Sequence, residues 1–298
     1  MTTTPEWDSL RSAWPNAAAS RFVDVADVRW HVQLLGAGPA VLLLHGSGAA
    51  SHSWRDIAPR LARTNTVVVP DLPGHGFTSV ASSHRLSLDG IATQLDALLT
   101  TLDVSPPVVA GHSSGGALAL RLAMIRPMGA VVGVNAALTP PPALSTFFAP
   151  LIRDLARSRV MGTLTALLAE SDLAFRALMR STGSTVSKAQ YELYRTFARS
   201  PAHTSALMTM FAGWDLTTLR AALPSLATPV TLVVGTRDGW VPPVESRLVA
   251  QILPDARVIE IEGAGHLAHE EFPERVSDII AEAAQRASVT GDPAQRTP

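Results

Sequence analysis

Two patterns of apolar and polar positions alternate along the chain. Short runs that are apolar at nearly every position occur at residues 40–46 (AVLLLHG), 66–76 (TVVVPDLPGHG), 106–116 (PPVVAGHSSGG), 130–138 (AVVGVNAAL) and 229–238 (PVTLVVGTRD), with a last one at 257–261. A strand covered by helices on both faces reads this way, so each run predicts a buried strand of a parallel sheet. Residues 28–35 instead alternate apolar and polar, as a strand with one wet face would. Between the runs, residues 54–62, 86–102 and 117–124 carry apolar positions at helical spacing. Strand and helix take turns, which predicts an α/β architecture with a mostly parallel central sheet flanked by helices.

The alternation stops near Leu138. Residues 139–226 open with Pro140, Pro141 and Pro142, then read as helices at 147–156, 162–169, 171–179, 188–197 and 202–211, with no strand run among them. Such a stretch predicts a helical cap inserted before the penultimate strand. The expected partition is a core of residues 1–138 and 227–287, a cap of 139–226 and a polar, disordered tail of 288–298. The apolar cap residues Phe147, Phe148, Leu167, Leu168, Phe175, Met179, Met208, Met210, Phe211 and Trp214 are expected mainly to pack the cap itself. Met-bearing helices above a pocket can also adapt to bulky apolar ligands.

Composition narrows the functional classes. With 298 residues, 47% hydrophobic and 16% charged, the chain can bury one large core. A formal net charge of −1 provides no broad field for nucleic acid or anionic lipid. The absence of cysteine excludes disulfides, thiolate nucleophiles and Cys-ligated metals. The start, MTTTPEWDSLRSAW, lacks the charged and apolar regions of a secretory signal. The most apolar stretch, 106–125, is broken by His112, Ser113, Ser114 and three glycines, so no transmembrane segment is expected. The expected location is cytoplasmic, with no cofactor and no metal.

The chemistry concentrates at Gly111-His112-Ser113-Ser114-Gly115, a G-x-S-x-G between a strand and a helix. That context is the one in which a serine stands on a tight strand-to-helix turn with its hydroxyl clear of the sheet edge. Ser113 is therefore the candidate nucleophile. A serine hydroxyl needs a base, and Gly263-Ala264-Gly265-His266 follows the last strand in a compact loop that leaves an imidazole room to reach it. His266 is the candidate base and His269, one helical turn on, the second choice. His45 and His75 read as structural, His112 as directed elsewhere on the turn, and His31, His52, His84 and His203 as lacking a suitable context. Asp238, at the carboxyl end of the penultimate strand, is the candidate orienting acid, because sites of open parallel sheets gather at that edge. Asn135 ends the strand before the cap and cannot serve as an anion there. Asp71 is expected to brace the turn of DLPGHG. The oxyanion hole is assigned to the backbone N–H of Ser114 and of Ser47 in the HGSG loop, with the Ser47 hydroxyl a candidate to face the pocket as well.

With these motifs in hand the chain resembles the α/β-hydrolase superfamily, which implies the α/β-hydrolase fold and a Ser-His-Asp triad of serine esterase type. The segments WPNAAASRFVDVADVRWHVQLLG, HGSGAASHSWRDIAP, PDLPGHGFTS, STGSTVS and RSPAHTSALMTMFAGWDL further resemble the magnesium chelatase accessory proteins of bacteriochlorophyll synthesis. That resemblance implies a role in photosynthetic pigment synthesis, a possible tetrapyrrole ligand and magnesium chelatase as a possible partner, without implying a reaction. A non-catalytic tetrapyrrole-binding module and a C–C bond hydrolase are the alternatives to a hydrolase of esters or similar carbonyl compounds.

Overall fold

In the computed structural model the described residues are 6–80, 83–139 and 159–290. Eight strands form one sheet: β1 (Ser20–Val25), β2 (Val28–Leu35), β3 (Ala40–Leu44), β4 (Thr66–Pro70), β5 (Val108–His112), β6 (Ala130–Val134), β7 (Val230–Gly235) and β8 (Ala256–Ile261), in the order β1-β2-β4-β3-β5-β6-β7-β8. The β1–β2 and β2–β4 pairs are antiparallel, and every pair from β4–β3 onward is parallel. The continuous apolar runs follow from burial on both faces. Leu42, Leu44, Val68 and Val109 join one core cluster, while Val41, Leu43, Val67 and Val108 join the cluster on the opposite face. Period-two alternation is still there; both of its phases are apolar.

The helices before the cap are α1 (Trp7–Leu10), α2 (Ala58–Leu61), α3 (Leu88–Thr101) and α4 (Ser114–Ile125). Between β6 and β7 the described residues form α5 (Arg159–Glu170), α6 (Asp172–Ser181), α7 (Lys188–Ala198), α8 (Pro201–Gly213) and α9 (Thr217–Ala222), with no strand. Three of these begin at a serine whose hydroxyl accepts a backbone N–H of the first turn: Ser171 caps α6, Ser187 caps α7 in a capping box with Gln190, and Ser200 caps α8 ahead of Pro201. The helix expected at 147–156 lies outside the described residues. After the cap come α10 (Pro243–Ala250), α11 (Ala268–Glu271) and α12 (Pro273–Thr290). Helix α12 runs to Thr290, past the 287 boundary expected from sequence. None of the helices among the described residues is long and apolar enough to cross a membrane.

Two readings of the first strands need correction. Strand β1 was not anticipated, because its hairpin to β2 turns on Ala26 at φ 52 with Asp27, without the glycine or asparagine that marks such turns. The face expected to be wet on β2 is so only at Arg29, which is exposed; His31 and Gln33 are buried. Trp7 and Trp14 lie over His31 at ring distances of 5.1 and 6.3 Å, and the Gln33 amide donates to the Pro15 carbonyl. The segment ahead of β1 folds back over that face and makes it interior at His31 and Gln33.

Candidate active site

The G-x-S-x-G segment forms a sharp bend. Ser113 sits between β5 and α4 at φ 52 and ψ −119, a region that costs a non-glycine residue about 1–3 kcal/mol. Backbone bonds fix it there. Its N–H donates to the Val134 carbonyl at 3.0 Å, and its carbonyl accepts from Gly116 and Ala137 at 2.9 and 3.0 Å. A Cβ on Gly111 would overlap the Gly115 carbonyl, and one on Gly115 would press on the Leu44 and His45 carbonyls. Both glycines are therefore required by close backbone approach.

His266 reaches this bend from the loop after β8. Its Nε2 lies 3.1 Å from Ser113 Oγ, and its Nδ1 lies 2.9 and 3.1 Å from Asp238 Oδ2 and Oδ1. A carboxylate beside Nδ1 assigns the proton to that nitrogen, which leaves the Nε2 lone pair for the serine hydroxyl. Asp238 Oδ1 also accepts the N–H groups of Trp240 and Val241 at 2.8 and 2.9 Å. The acid is thus held by the turn that follows it, and both side chains are buried. The structure brings Ser113, His266 and Asp238 together in one hydrogen-bonded line.

Several residues that sequence reasoning passed over hold this line in place. Asn135, at φ 44, donates from Nδ2 to the carbonyls of Gly265 and His266, both at 2.8 Å, and accepts the Gly235 N–H at 2.7 Å. His112 is not directed away from the site. It lines the cavity, and its Nε2 donates to the His266 carbonyl at 2.8 Å. The neutral side chain that ruled out Asn135 as the acid is what allows it to donate and accept at once. His269 lies behind His112 at 4.2 Å between rings and makes no hydrogen bond to Ser113, so it is not a second base. His45 is structural, taking the Leu72 N–H on Nε2 at 2.9 Å and facing the Gly46 carbonyl with Nδ1. Asp71 braces its turn by accepting from Ser51 N–H at 2.6 Å and Phe77 N–H at 2.9 Å. Burial alone would push the Asp71 carboxyl up; His31, 2.8 Å away, holds it well below the usual carboxylate range.

Ser47 and Ser114, the residues expected to supply the oxyanion hole, are neighbours. The Ser47 N–H and hydroxyl both donate to Ser114 Oγ, at 2.9 and 2.8 Å, a contact that the reading of the sequence did not include. Ser47 also lines a cavity of about 480 Å³ above Ser113, within the range of about 300–1,000 Å³ usual for drug-sized ligands. Leu168, Phe175, Met179, Met208 and Phe211 form much of its wall, so these cap residues do more than pack the cap; Met210 and Trp214 do pack against the core. Among the described residues that line the cavity there is no aspartate, glutamate, lysine or arginine. His203 does line it, and burial lowers its pKa to about 4, so the ring is neutral at pH 7. Among the described residues no group of three or more His, Asp or Glu side chains is placed to hold a metal ion.

Residues 41–279 match the model of the alpha/beta hydrolase family. The chain belongs to this family. As a family member it is 37% identical to the magnesium-chelatase 30 kDa subunit of Rhodobacter capsulatus, over 91% of this chain and 96% of that protein. It is 32% identical to a pimeloyl-[acyl-carrier protein] methyl ester esterase of Xanthomonas oryzae pv. oryzae, over 86% and 97% of the two chains. Among solved structures, an alpha/beta hydrolase fold protein from Burkholderia ambifaria superimposes with a TM-score of 0.73 at 26% identity, covering 88% of this chain and 99% of the other. The likeness expected from the quoted segments is thus matched at the level of both the hydrolase family and the chelatase subunit.

Proposed function

We propose that this alpha/beta hydrolase is a cytoplasmic serine hydrolase that cleaves an uncharged, largely apolar ester or similar carbonyl compound. We further propose that it acts beside magnesium chelatase in bacteriochlorophyll synthesis. The observation that carries the reading is the line Ser113–His266–Asp238 at the floor of an apolar cavity. In this reaction Ser113 Oγ attacks the carbonyl carbon while His266 Nε2 takes the hydroxyl proton and Asp238 stabilises the imidazolium. The carbonyl oxygen becomes an oxyanion and meets the N–H groups of Ser114 and Ser47, with the Ser114 hydroxyl giving up or sharing the Ser47 N–H. His266 then returns the proton to the leaving alcohol, and water, activated by the same imidazole, releases the acid from Ser113. The described part of the wall carries no charged side chain, which favours a neutral substrate, because a carboxylate would lose its hydration against it without an ionic partner.

An alkyl fluorophosphonate tests the reading. Labelling is expected at Ser113 and is expected to vanish in Ser113→Ala with the circular dichroism unchanged. Absence of label at Ser113 in folded protein contradicts it. A second reading is favoured by the same cavity and the chelatase-subunit relative: a non-catalytic module that holds a tetrapyrrole. It gains support if Ser113→Ala fully sustains pigment synthesis in cells and a porphyrin titration gives saturable binding.

A further inference from the structure

The cap turn between α6 and α7 lies wedged between the two loops that carry the acid and the base. The Thr182 carbonyl accepts the His266 N–H at 2.9 Å and the Gly239 N–H at 3.2 Å, so one cap oxygen ties the base to the segment just after the acid. The Ser184 hydroxyl accepts the Leu267 N–H at 2.7 Å. Glu271 closes the arrangement by accepting from Thr185 N–H at 2.9 Å and Gly265 N–H at 2.8 Å. On the acid side, the Trp240 indole N–H donates to Ser181 Oγ at 2.9 Å, and its ring lies 5.1 Å from that of His266.

Three glycines record how close these segments come. A Cβ on Gly183, which sits at φ 75, would overlap the Arg237 carbonyl; one on Gly239 would overlap the Ser181 carbonyl; one on Gly265 would overlap the backbone of Gly183 and Ser184. No flexible side chain separates the cap from either loop at these points. The contacts are backbone against backbone, and such contacts fix position more tightly than side-chain packing does.

We propose that the cap turn of residues 181–185 is a positioning element of the active site, holding the His266 backbone and the Asp238 loop in register with Ser113. Under this proposal the cap is a fixed part of the catalytic frame and does not lift away as a lid during turnover. The turn continues directly from α6, whose Leu178 and Met179 line the cavity together with Thr182. Thr182 Oγ1 donates to the Met179 carbonyl at 2.6 Å, which makes the cavity wall and the support of His266 one continuous piece. The proposal rests on Ser113 and His266 acting as nucleophile and base.

Ser184→Ala removes one support of the His266 loop without touching the cavity floor. Ser187→Ala, which removes the capping hydroxyl of α7 elsewhere in the cap, is the control. With an alkyl fluorophosphonate, Ser184→Ala is expected to slow the bond-forming step about tenfold, the effect of about one lost buried hydrogen bond. The apparent binding constant of the reagent is expected to stay within about twofold of wild type. Ser187→Ala is expected to label at the wild-type rate. Proton NMR of the His266 Nδ1–H resonance gives a readout independent of activity: it is expected to shift or broaden in Ser184→Ala and to stay unchanged in Ser187→Ala. Wild-type labelling by Ser184→Ala, equal slowing in both variants, or an unmoved resonance in Ser184→Ala overturns the positioning role. A wild-type protein that takes no label at Ser113 overturns the hydrolase reading instead, and the resonance still reports on the turn.

Discussion

Ser113 and His266 meet at 3.1 Å, yet the chain positions them by different means. Ser113 is announced by its own neighbourhood, a strand before it, a helix after it and glycines two residues to either side, and two distant backbone bonds, to Val134 and Ala137, lock the bend. His266 is set by groups far from it in sequence. Its carbonyl is held by His112 and Asn135, its N–H by Thr182, and the N–H of the next residue by Ser184. Under the proposed hydrolase reading the nucleophile sits in a strained bend that is coded locally and kept in place by the surrounding backbone bonds. A base that must carry a proton between partners is held at its backbone by several distant elements, each stabilising one orientation.

The strongest test of this contrast acts on the base side through chemistry alone. Asp238→Asn leaves the shape of the line but places an amide where the Nδ1 proton is accepted, and fluorophosphonate labelling is expected to slow by about 10⁴-fold with the fold intact. On the nucleophile side the largest effect is on stability. Gly111→Ala forces a Cβ into the Gly115 carbonyl, so the urea midpoint is expected to drop by the equivalent of about 3 kcal/mol or more. Asn135→Gly tolerates the positive φ but removes three hydrogen bonds around the His266 loop. Its labelling rate is expected to fall about 10- to 100-fold, the effect of losing three neutral buried bonds at about 0.5–1 kcal/mol each, while Ser113 stays ordered.

The smallest effect per residue concerns acid. Burial lowers the pKa of His45, His52, His75, His112, His203 and His269, with His203 at about 4. In the unfolded chain each takes up a proton near pH 6.5. The unfolded state thus binds more protons than the folded one between about pH 6.5 and 4, and stability falls as pH drops through that window. Each histidine contributes a slope of up to about 1.4 kcal/mol per pH unit. Glu270 and Glu245, whose carboxyls burial pushes up, act in the opposite sense as two groups against six. Urea midpoints at pH 7 and pH 5 check the sign: the midpoint is expected to be lower at pH 5.

The same contrast explains what the sequence discloses. The parallel sheet is legible because both phases of its buried strands are apolar, and the bend at Ser113 because its sequence signal lies within residues 111–115. Asp238 and His266 could be placed by their positions after strands β7 and β8. Their supports could not, since Asn135, His112 and residues 181–185 earn their role only through backbone contacts made across the fold. A pair of glycines in the cap and the His loop, Gly183 and Gly265, was the available signal, but it has meaning only once the two segments are known to touch. The cavity lining was hidden for a related reason. Phe175 and Met179 share their helix with residues that face solvent, and spacing alone does not tell a cavity wall from a packing face.

Under the proposed reading His266, aligned by Asp238, activates Ser113 beneath an apolar cavity. The rate at which an alkyl fluorophosphonate modifies Ser113, located by peptide mass, tests it in wild type against His266→Ala. The expected result is modification at Ser113 in both, slower in His266→Ala by about 10⁴-fold or more. Equal rates in the two proteins, or modification at a residue other than Ser113, would contradict it.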